Sequence, residues 1–314
     1  MSQPVVETRP ATAAAVGGQR RAASHEAQRT RLAWLFLAPT LAIVAFVALW
    51  PLAQTFYQSL TDARLASGEA PQFIGLENYR FLATDIDFRN SIWVTVQFTL
   101  LTIVFEFLLG LGIALVINSN FKGRGLMRAA MLIPWAIPTV VSAQMWKWMY
   151  SDTFGVINDL LVTKLRILDR PIAFVAERNT SLPAIAAVDI WKTTPFVALL
   201  LLAGLQVIPD DVYEAARIDG ANPLQQFLRI TLPLLRPAIL VTLIFRTLDA
   251  LRVFDVFYVM FGNRQNTQTM AIYNQQNIVE FSDLGYGSAI SVAIFLIIGI
   301  FVVAYVTFLK VEEA

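Results

Sequence analysis

Eight ionisable residues interrupt stretches of this chain that are otherwise apolar enough to avoid water. Four are acidic, Glu106, Asp189, Asp249 and Asp255, and four are basic, Lys147, Lys192, Arg246 and Arg252. Groups of these types in such a setting can pass protons, hold one another, or line a wet path. Left unpaired at a helix centre, each would cost about 2.5–3.5 kcal/mol, and eight roughly 20–28 kcal/mol. They must therefore pair, face a cavity or lie near an interface. Arg246, Asp249, Arg252 and Asp255 recur every three residues with alternating sign. Neighbours at that spacing lie side by side on a helix, so the row predicts a polar stripe aimed at protein or water. Asp189, Lys192, Thr193 and Thr194 precede Pro195, and Gln144, Trp146, Lys147 and Trp148 form a further mixed group. Two readings compete. In one, Asp249, Arg252, Asp255, Asp189, Lys192, Thr193 and Gln144 line a path for a polar, neutral solute. The hydroxyls of a sugar would take hydrogen bonds from Arg, Lys and Thr and give them to Asp. Rings such as Trp146, Trp148 or Tyr258 would cover its apolar faces. In the other, the charges lock helices together. Glu106, alone on its stretch, falls to the second reading.

The elements that must position these residues are membrane-length. Of the 314 residues, 56% are hydrophobic, and the mean hydropathy of +0.58 exceeds that of soluble domains. A span needs about 20 apolar residues. Six candidates are found at roughly 32–60, 90–117, 129–150, 181–204, 237–261 and 287–309. The first is expected to break near Trp50-Pro51, and Pro134 and Pro138 predict a kink in the third. With the N-terminus inside, the inner segments hold twelve Lys and Arg against eight in the outer loops, and residues 118–128 carry three bases and no acid. This distribution places both termini in the cytoplasm. Residues 1–30 read as a disordered cytoplasmic tail, and residues 31–314 as one membrane domain. The long outer loops 61–89 and 151–180 read either as plain connectors or as a rim for another protein. Gly110 and Gly112 suit close helix packing.

Some chemistry is excluded. The chain has no cysteine and a single histidine, His25 in the polar tail, so thiolate and histidine chemistry, and a metal site built on either, are not expected. No catalytic residue is proposed. A net charge of +1 gives no reason to expect nucleic acid. A phosphate-cradling loop needs Gly-x-x-x-x-Gly-Lys-Ser/Thr, whereas Lys192-Thr193, the one Lys-Thr pair, lacks the glycines. Any ATP used must be used by a partner.

Between the fourth and fifth candidate spans, at about 209–236, lies a polar island. It reads as a short helix, a glycine turn and a second short helix. Asp210 and Asp211 stand where an N-cap is wanted, with Glu214 three residues after Asp211 as in a capping box. Val212, Ala215, Ala216 and Asp219 share a small, mostly apolar face. Gly220 can take the left-handed conformation that stops a helix, and Asn222-Pro223 can start the next. Spanning does not require such a module; it suits docking to a soluble partner.

Glu214-Ala215-Ala216, Gly220, Ile230 and Leu232-Pro233 match the pattern Glu-Ala-Ala, three residues, Gly, nine residues, Ile, one residue, Leu-Pro at every position. This resembles the EAA loop of bacterial ATP-binding-cassette importer permeases. Phe73-Ile74-Gly75-Leu76-Glu77-Asn78-Tyr79, Trp191 to Phe196, Arg246 to Ala250 and Val253-Phe254-Asp255 extend the likeness, over roughly residues 30–310, to the carbohydrate branch that includes maltose and trehalose permeases. The resemblance implies an all-α integral inner-membrane protein of about six transmembrane helices with a cytoplasmic coupling helix. Glu214, Ala215, Ala216, Asp219, Gly220, Ile230, Leu232 and Pro233 would meet the ATPase. It implies a second permease as heterodimer partner, two cytoplasmic ATPase subunits that bind ATP and Mg, and an extracytoplasmic sugar-binding protein. It also implies solute near the membrane middle, at Asp249 and Arg252 and less directly at Asp189, Lys192 and Thr193. Relatives often carry Gly-Gly-Pro after the fifth span; here Phe261-Gly262-Asn263 stands there. The rival reading is a transporter driven by an ion gradient, with Glu106 and Asp189 carrying protons. It accounts for the charges but not for the loop.

Overall fold

In the computed structural model, which describes the backbone of residues 12–308, each of the six apolar stretches forms helix. The chain divides into two units at Tyr57/Gln58, and each is taken by itself. In the first, helix α1 (Thr12–Gln58) contains Pro39 and Pro51 without ending. The break expected near Trp50-Pro51 is not formed. Thr55 Oγ1 donates to the Pro51 carbonyl at 2.9 Å, one of the local hydroxyl bonds that serve a helix around a proline. The bounds of α1 also take in residues 12–30 of the segment read as a disordered tail. That stretch is rich in Ala, Arg and Gln, all strong helix formers. Residues 1–11 and 309–314 lie outside the described residues, and with them Arg9, Lys310 and the end of the sixth expected span.

In the second unit, α2 (Glu77–Thr84) is followed directly by α3 (Ile86–Asn118). Asp85 makes the turn: its Oδ1 accepts from the amides of Asp87 (2.9 Å) and Phe88 (3.2 Å), an N-cap. Its Oδ2 accepts from the hydroxyls of Tyr273 and Tyr286. One carboxylate thus ties the start of α3 to two later helices, α12 (Met270–Gln275) and α13 (Leu284–Phe308). Burial opposes its ionisation, but the two tyrosines and two amides prevail and hold Asp85 below the ordinary aspartate range.

The third stretch is bent. Helices α4 (Arg124–Met131) and α5 (Ile133–Ala136) lead to α6 (Thr139–Met149), which turns away by 86°. Pro138 occupies the N-cap position of α6, as the two prolines predict. Helix α7 (Arg178–Leu205) then packs along α3. Gly110 lets the two approach: a Cβ there would lie 2.6 Å from Val197 Cγ1. Gly112 has open space around it, so only one of the two glycines expected at a helix contact is at one.

After the module formed by α8 (Asp210–Ile218) and α9 (Pro223–Gln226), the chain bends by 64° into the fifth stretch. That stretch is not one helix. Helix α10 (Arg236–Ala250) ends, residues 251–254 are non-helical, and α11 (Asp255–Phe261) resumes. No Pro or Gly lies between Arg246 and Phe261, so the break is made by tertiary contacts. Thr269 Oγ1, in a fully buried residue, donates to the Val253 carbonyl freed there (2.9 Å). The next amide, of Met270, donates to Thr95 Oγ1 on α3 at 3.0 Å. Among the described residues, four helices are long and apolar enough to cross a membrane, or up to six if each bent pair is one span.

Candidate solute cavity and docking module

Arg246, on α10, is the centre of the charged residues. Its Nε and Nη2 donate to the two Glu106 oxygens at 2.5 and 2.9 Å. Nη2 also reaches Asp189 Oδ2 at 2.9 Å, and Nη1 reaches Asp249 Oδ2 at 2.6 Å. Three helices, α3, α7 and α10, are thereby joined through one guanidinium, whose planar fork suits this task. Thr193 Oγ1 lies 2.5 Å from Glu106 Oε1 and 2.6 Å from the Asp189 carbonyl, so its single proton is shared. Glu106 is 0% and Arg246 2% exposed. A buried charge pair of this kind persists when its remaining polar atoms are bonded.

One side of this cluster is wet. The Asp249 side chain is 71% exposed although it bonds Arg246. It faces a cavity of about 600 Å³ between the bend of the third stretch, the middle of α7 and the break of the fifth. Asp189, Lys192, Thr193, Asp249, Arg252 and Asp255 all line it, six of the seven residues expected on a solute path. The seventh, Gln144, lies elsewhere, in a smaller cavity with Lys147 and Trp148.

Several details differ from expectation. The alternating row does not pair along its length, because the helix stops at Ala250: Arg246 meets Asp249, whereas Arg252 Nε donates to the Leu248 carbonyl at 3.2 Å. Lys192 is not free for a solute alone. Its ammonium donates to the carbonyls of Ile137 (2.6 Å) and Trp135 (3.5 Å). These are acceptors left open where α5 ends before Pro138, and buried acceptors of this kind need a partner. Trp135 stacks on Phe196 of α7, with centroids 5.8 Å apart and planes at 16°, so the bend is held to α7 twice. The rings expected to cover a solute are also displaced. Trp146 packs on Tyr150 and Trp191, while the rings lining the cavity are Trp135 and Phe254. The two prolines around Trp135 were a usable signal for this; nothing local marked Phe254. Among the described residues no group of three or more His, Asp or Glu is placed to hold a metal.

The module lies beyond the far end of α7. Pro209, not an aspartate, is the N-cap of α8. Asp210 and Asp211 instead occupy the first turn, where carboxylates favour the positive end of the helix dipole. Glu214 does not form the expected capping box and lies 3.9 Å from Arg217, both side chains well exposed. Gly220 takes φ +81°, as expected. The amides of Gly220 and Ala221 bond the carbonyls of Arg217 (3.1 Å) and Ala216 (2.9 Å), a paired C-terminal stop. Asn222 and Gln225 then cap α9 reciprocally, with Pro223 at its start. Tyr213 and Phe227 pack against a core drawn from α3 and α7, and Tyr213 Oη shares a hydrogen bond with Thr231 Oγ1 at 2.9 Å. The opposite side leaves Ile218, Leu224 and Leu228 exposed by 86%, 66% and 52%.

Membrane-length helices around a charged cavity, with a rigid helix–turn–helix presented beyond them, define a multi-span membrane transport subunit. Residues 106–310 match the family described as the binding-protein-dependent transport system inner membrane component, and the chain belongs to that family. It is 42% identical over 283 residues, 88% of this chain and 93% of the relative, to the trehalose/maltose transport system permease protein MalF of Thermococcus litoralis. It is 40% identical to the sulfoquinovosyl glycerol transport system permease protein SmoG of Agrobacterium fabrum, covering 90% of this chain and 91% of that one. Identity is 38% to the trehalose transport system permease protein SugA of Mycobacterium tuberculosis, covering 92% and 91%. The fold is similar to that of a bacterial transporter involved in the import of alginate, with a TM-score of 0.76 at 22% identity, covering 92% of this chain and 99% of that one.

Proposed function

We propose that this chain is the membrane-spanning permease subunit of an ATP-driven carbohydrate importer, with a trehalose- or maltose-like disaccharide as solute. The observation that carries the proposal is the cavity of about 600 Å³ lined by Asp189, Lys192, Thr193, Asp249, Arg252 and Asp255. It offers donors and acceptors together, and two rings, as a neutral polyol requires. Its volume suits a small-molecule site. The names of the relatives support a sugar.

The chain pairs with a second permease of similar type. The α8–turn–α9 module sits in the cytoplasm, together with both termini, and docks on one of two ATPase subunits that bind ATP and Mg. Ile218, Leu224 and Leu228 supply apolar contact area there, and Glu214 faces a basic group of the ATPase. A binding protein on the other side of the membrane delivers the sugar. Closure of the ATPase pair moves the module, and the spans rock as rigid bodies between outward- and inward-open states.

The test is uptake of labelled trehalose and maltose into cells or oriented vesicles containing the whole complex. ATP-dependent uptake that survives collapse of ion gradients is expected. Uptake that needs a gradient and no ATP would overturn the reading and favour proton carriage by the carboxylates.

A further inference from the structure

The second cavity is unused by this mechanism, yet it is built as firmly as the first. It has a volume of about 330 Å³ and is lined by Gln144, Lys147, Trp148, Asp152, Phe154 and Val175, among others. Its floor is the last turn and a half of α6, and its walls are the loop running from Ser151 to Ala176. That loop is pinned. Asn158, only 4% exposed, donates to the carbonyls of Ser151 (3.1 Å) and Ile172 (2.9 Å) and accepts from the Ile172 amide (2.9 Å). Arg264 Nη1 donates to the Val175 carbonyl at 2.6 Å. Gly155 closes the turn so tightly that a Cβ would sit 2.2 Å from the Ser151 carbonyl oxygen. Lys147 anchors the floor by donating to the Val259 carbonyl on α11 at 2.9 Å.

Inside these fixed walls stand two aromatic side chains, Trp148 and Phe154, with centroids 5.9 Å apart and exposures of 57% and 62%. Gln144 and Asp152 line the same space, and their side chains make no hydrogen bond among the described residues. Ring faces beside an unengaged amide and carboxylate meet the C–H face and hydroxyls of a sugar ring. Aromatic walls with a few placed polar groups are the usual make-up of a small-molecule site. Position supports the same ligand. Tyr150 of this cavity donates to the Ala184 carbonyl on α7 at 3.1 Å, while Asp189 and Lys192 of the larger cavity lie five and eight residues further along that helix. At about 1.5 Å per residue the two sites are separated by roughly 8–12 Å along α7, and the smaller lies toward the end remote from the module.

We propose that the Trp148–Phe154 cavity is a second carbohydrate subsite, which receives the sugar before it passes to the Asp249 cavity. This rests on the carbohydrate reading above. The absence of native cysteine in this chain makes the test direct when labelling is read on this chain alone. Ala176→Cys, on the rim, is labelled with a maleimide in the complete complex, in a preparation that takes up trehalose with ATP. Trehalose at millimolar concentration is expected to slow labelling several-fold. Trp148→Ala should abolish that protection, and Asp249→Asn should leave it intact. Equal labelling with and without trehalose in a transporting complex overturns the subsite. So does protection that needs no sugar and vanishes when the second membrane subunit is removed, since a protein would then cover the cavity. If the complex takes up no carbohydrate, the carbohydrate reading itself fails, and the subsite with it.

Discussion

Removing Glu106 separates the locking role of the charges from the solute-binding one. Glu106 is fully buried and touches Arg246 twice, at 2.5 and 2.9 Å, and Thr193 at 2.5 Å. It does not line the 600 Å³ cavity. Glu106→Ala leaves the Arg246 Nε–H without its acceptor and opens a void between α3, α7 and α10. Hydrogen bonds to charged groups contribute about 1.5–3 kcal/mol each, and breaking one side of a buried pair costs about 3–5 kcal/mol. Asp189 and Asp249 still hold the other two nitrogens, so the lower end, about 3 kcal/mol, is the better figure. At about 2–4 °C per kcal/mol for a chain near this size, the melting temperature of the complex in detergent should fall by roughly 6–12 °C. Glu106→Gln retains one acceptor oxygen and should fall in between. The joint replacement Glu106→Leu with Arg246→Met should not recover the loss, because it leaves the buried Asp189 carboxylate without its guanidinium partner. Transport by the surviving fraction should keep its half-saturating sugar concentration. An unchanged melting temperature in Glu106→Ala, or a changed half-saturation at unchanged stability, would refute the assignment of Glu106 to the lock.

Gly220→Val should uncouple transport while leaving the spans folded: at φ +81° a β-branched residue is strained by about 1–3 kcal/mol, and sugar-stimulated ATP hydrolysis reads the result. Asp249→Asn and Arg252→Gln should raise the half-saturating sugar concentration several-fold with a smaller fall in melting temperature than Glu106→Ala, since both side chains border the cavity and asparagine keeps an acceptor for Arg246; unaltered uptake curves would contradict that. Lys192→Met should lower transport and loosen the bend at Pro138, because the Ile137 carbonyl loses its donor, and Lys192→Arg should restore part of it; protease sensitivity between residues 132 and 139 reports the loosening. Asp85→Asn should destabilise the complex by about 1–2 kcal/mol: asparagine still caps α3, but the charge that accepts from the Tyr273 and Tyr286 hydroxyls is lost. Since the carboxyl of Asp85 is held below its usual range, its contribution is present above the unfolded aspartate value near pH 4 and lost as pH falls through the lower folded value; melting curves from pH 7 to pH 3 should show a wild-type loss that the asparagine variant lacks.

What the sequence disclosed follows from which physical signal was local. The spans were legible because hydrocarbon length is a property of composition. The third bend was legible because Pro134 and Pro138 are its cause. The Gly220 stop and the Asn222-Pro223 start were legible because each is set by one or two residues. The break after Ala250 was not, since Arg246 to Phe261 contains no helix-breaking residue and the partners that stabilise it, Thr269 and Thr95, lie far away in the chain. That one hidden break explains why the charged row does not pair along its length. A continuous helix would have set Arg252 beside Asp249 and Asp255 as a closed row of pairs. With the helix interrupted, Arg246 turns inward to Glu106 and Asp189, while Arg252 and Asp255 are left at the wall of the cavity. Seven of the eight charges fall into two groups, Glu106 and Arg246 in the buried cluster and Asp189, Lys192, Asp249, Arg252 and Asp255 on the cavity wall, whereas Lys147 holds the Val259 carbonyl. Arg246 joins α3, α7 and α10 through Glu106, Asp189 and Asp249, and the cavity wall on the same elements is where the proposed solute would meet polar groups. The break that divides the two roles lies on the stretch that continues directly from the module, where a movement of α8 and α9 would reach the cavity wall through α10.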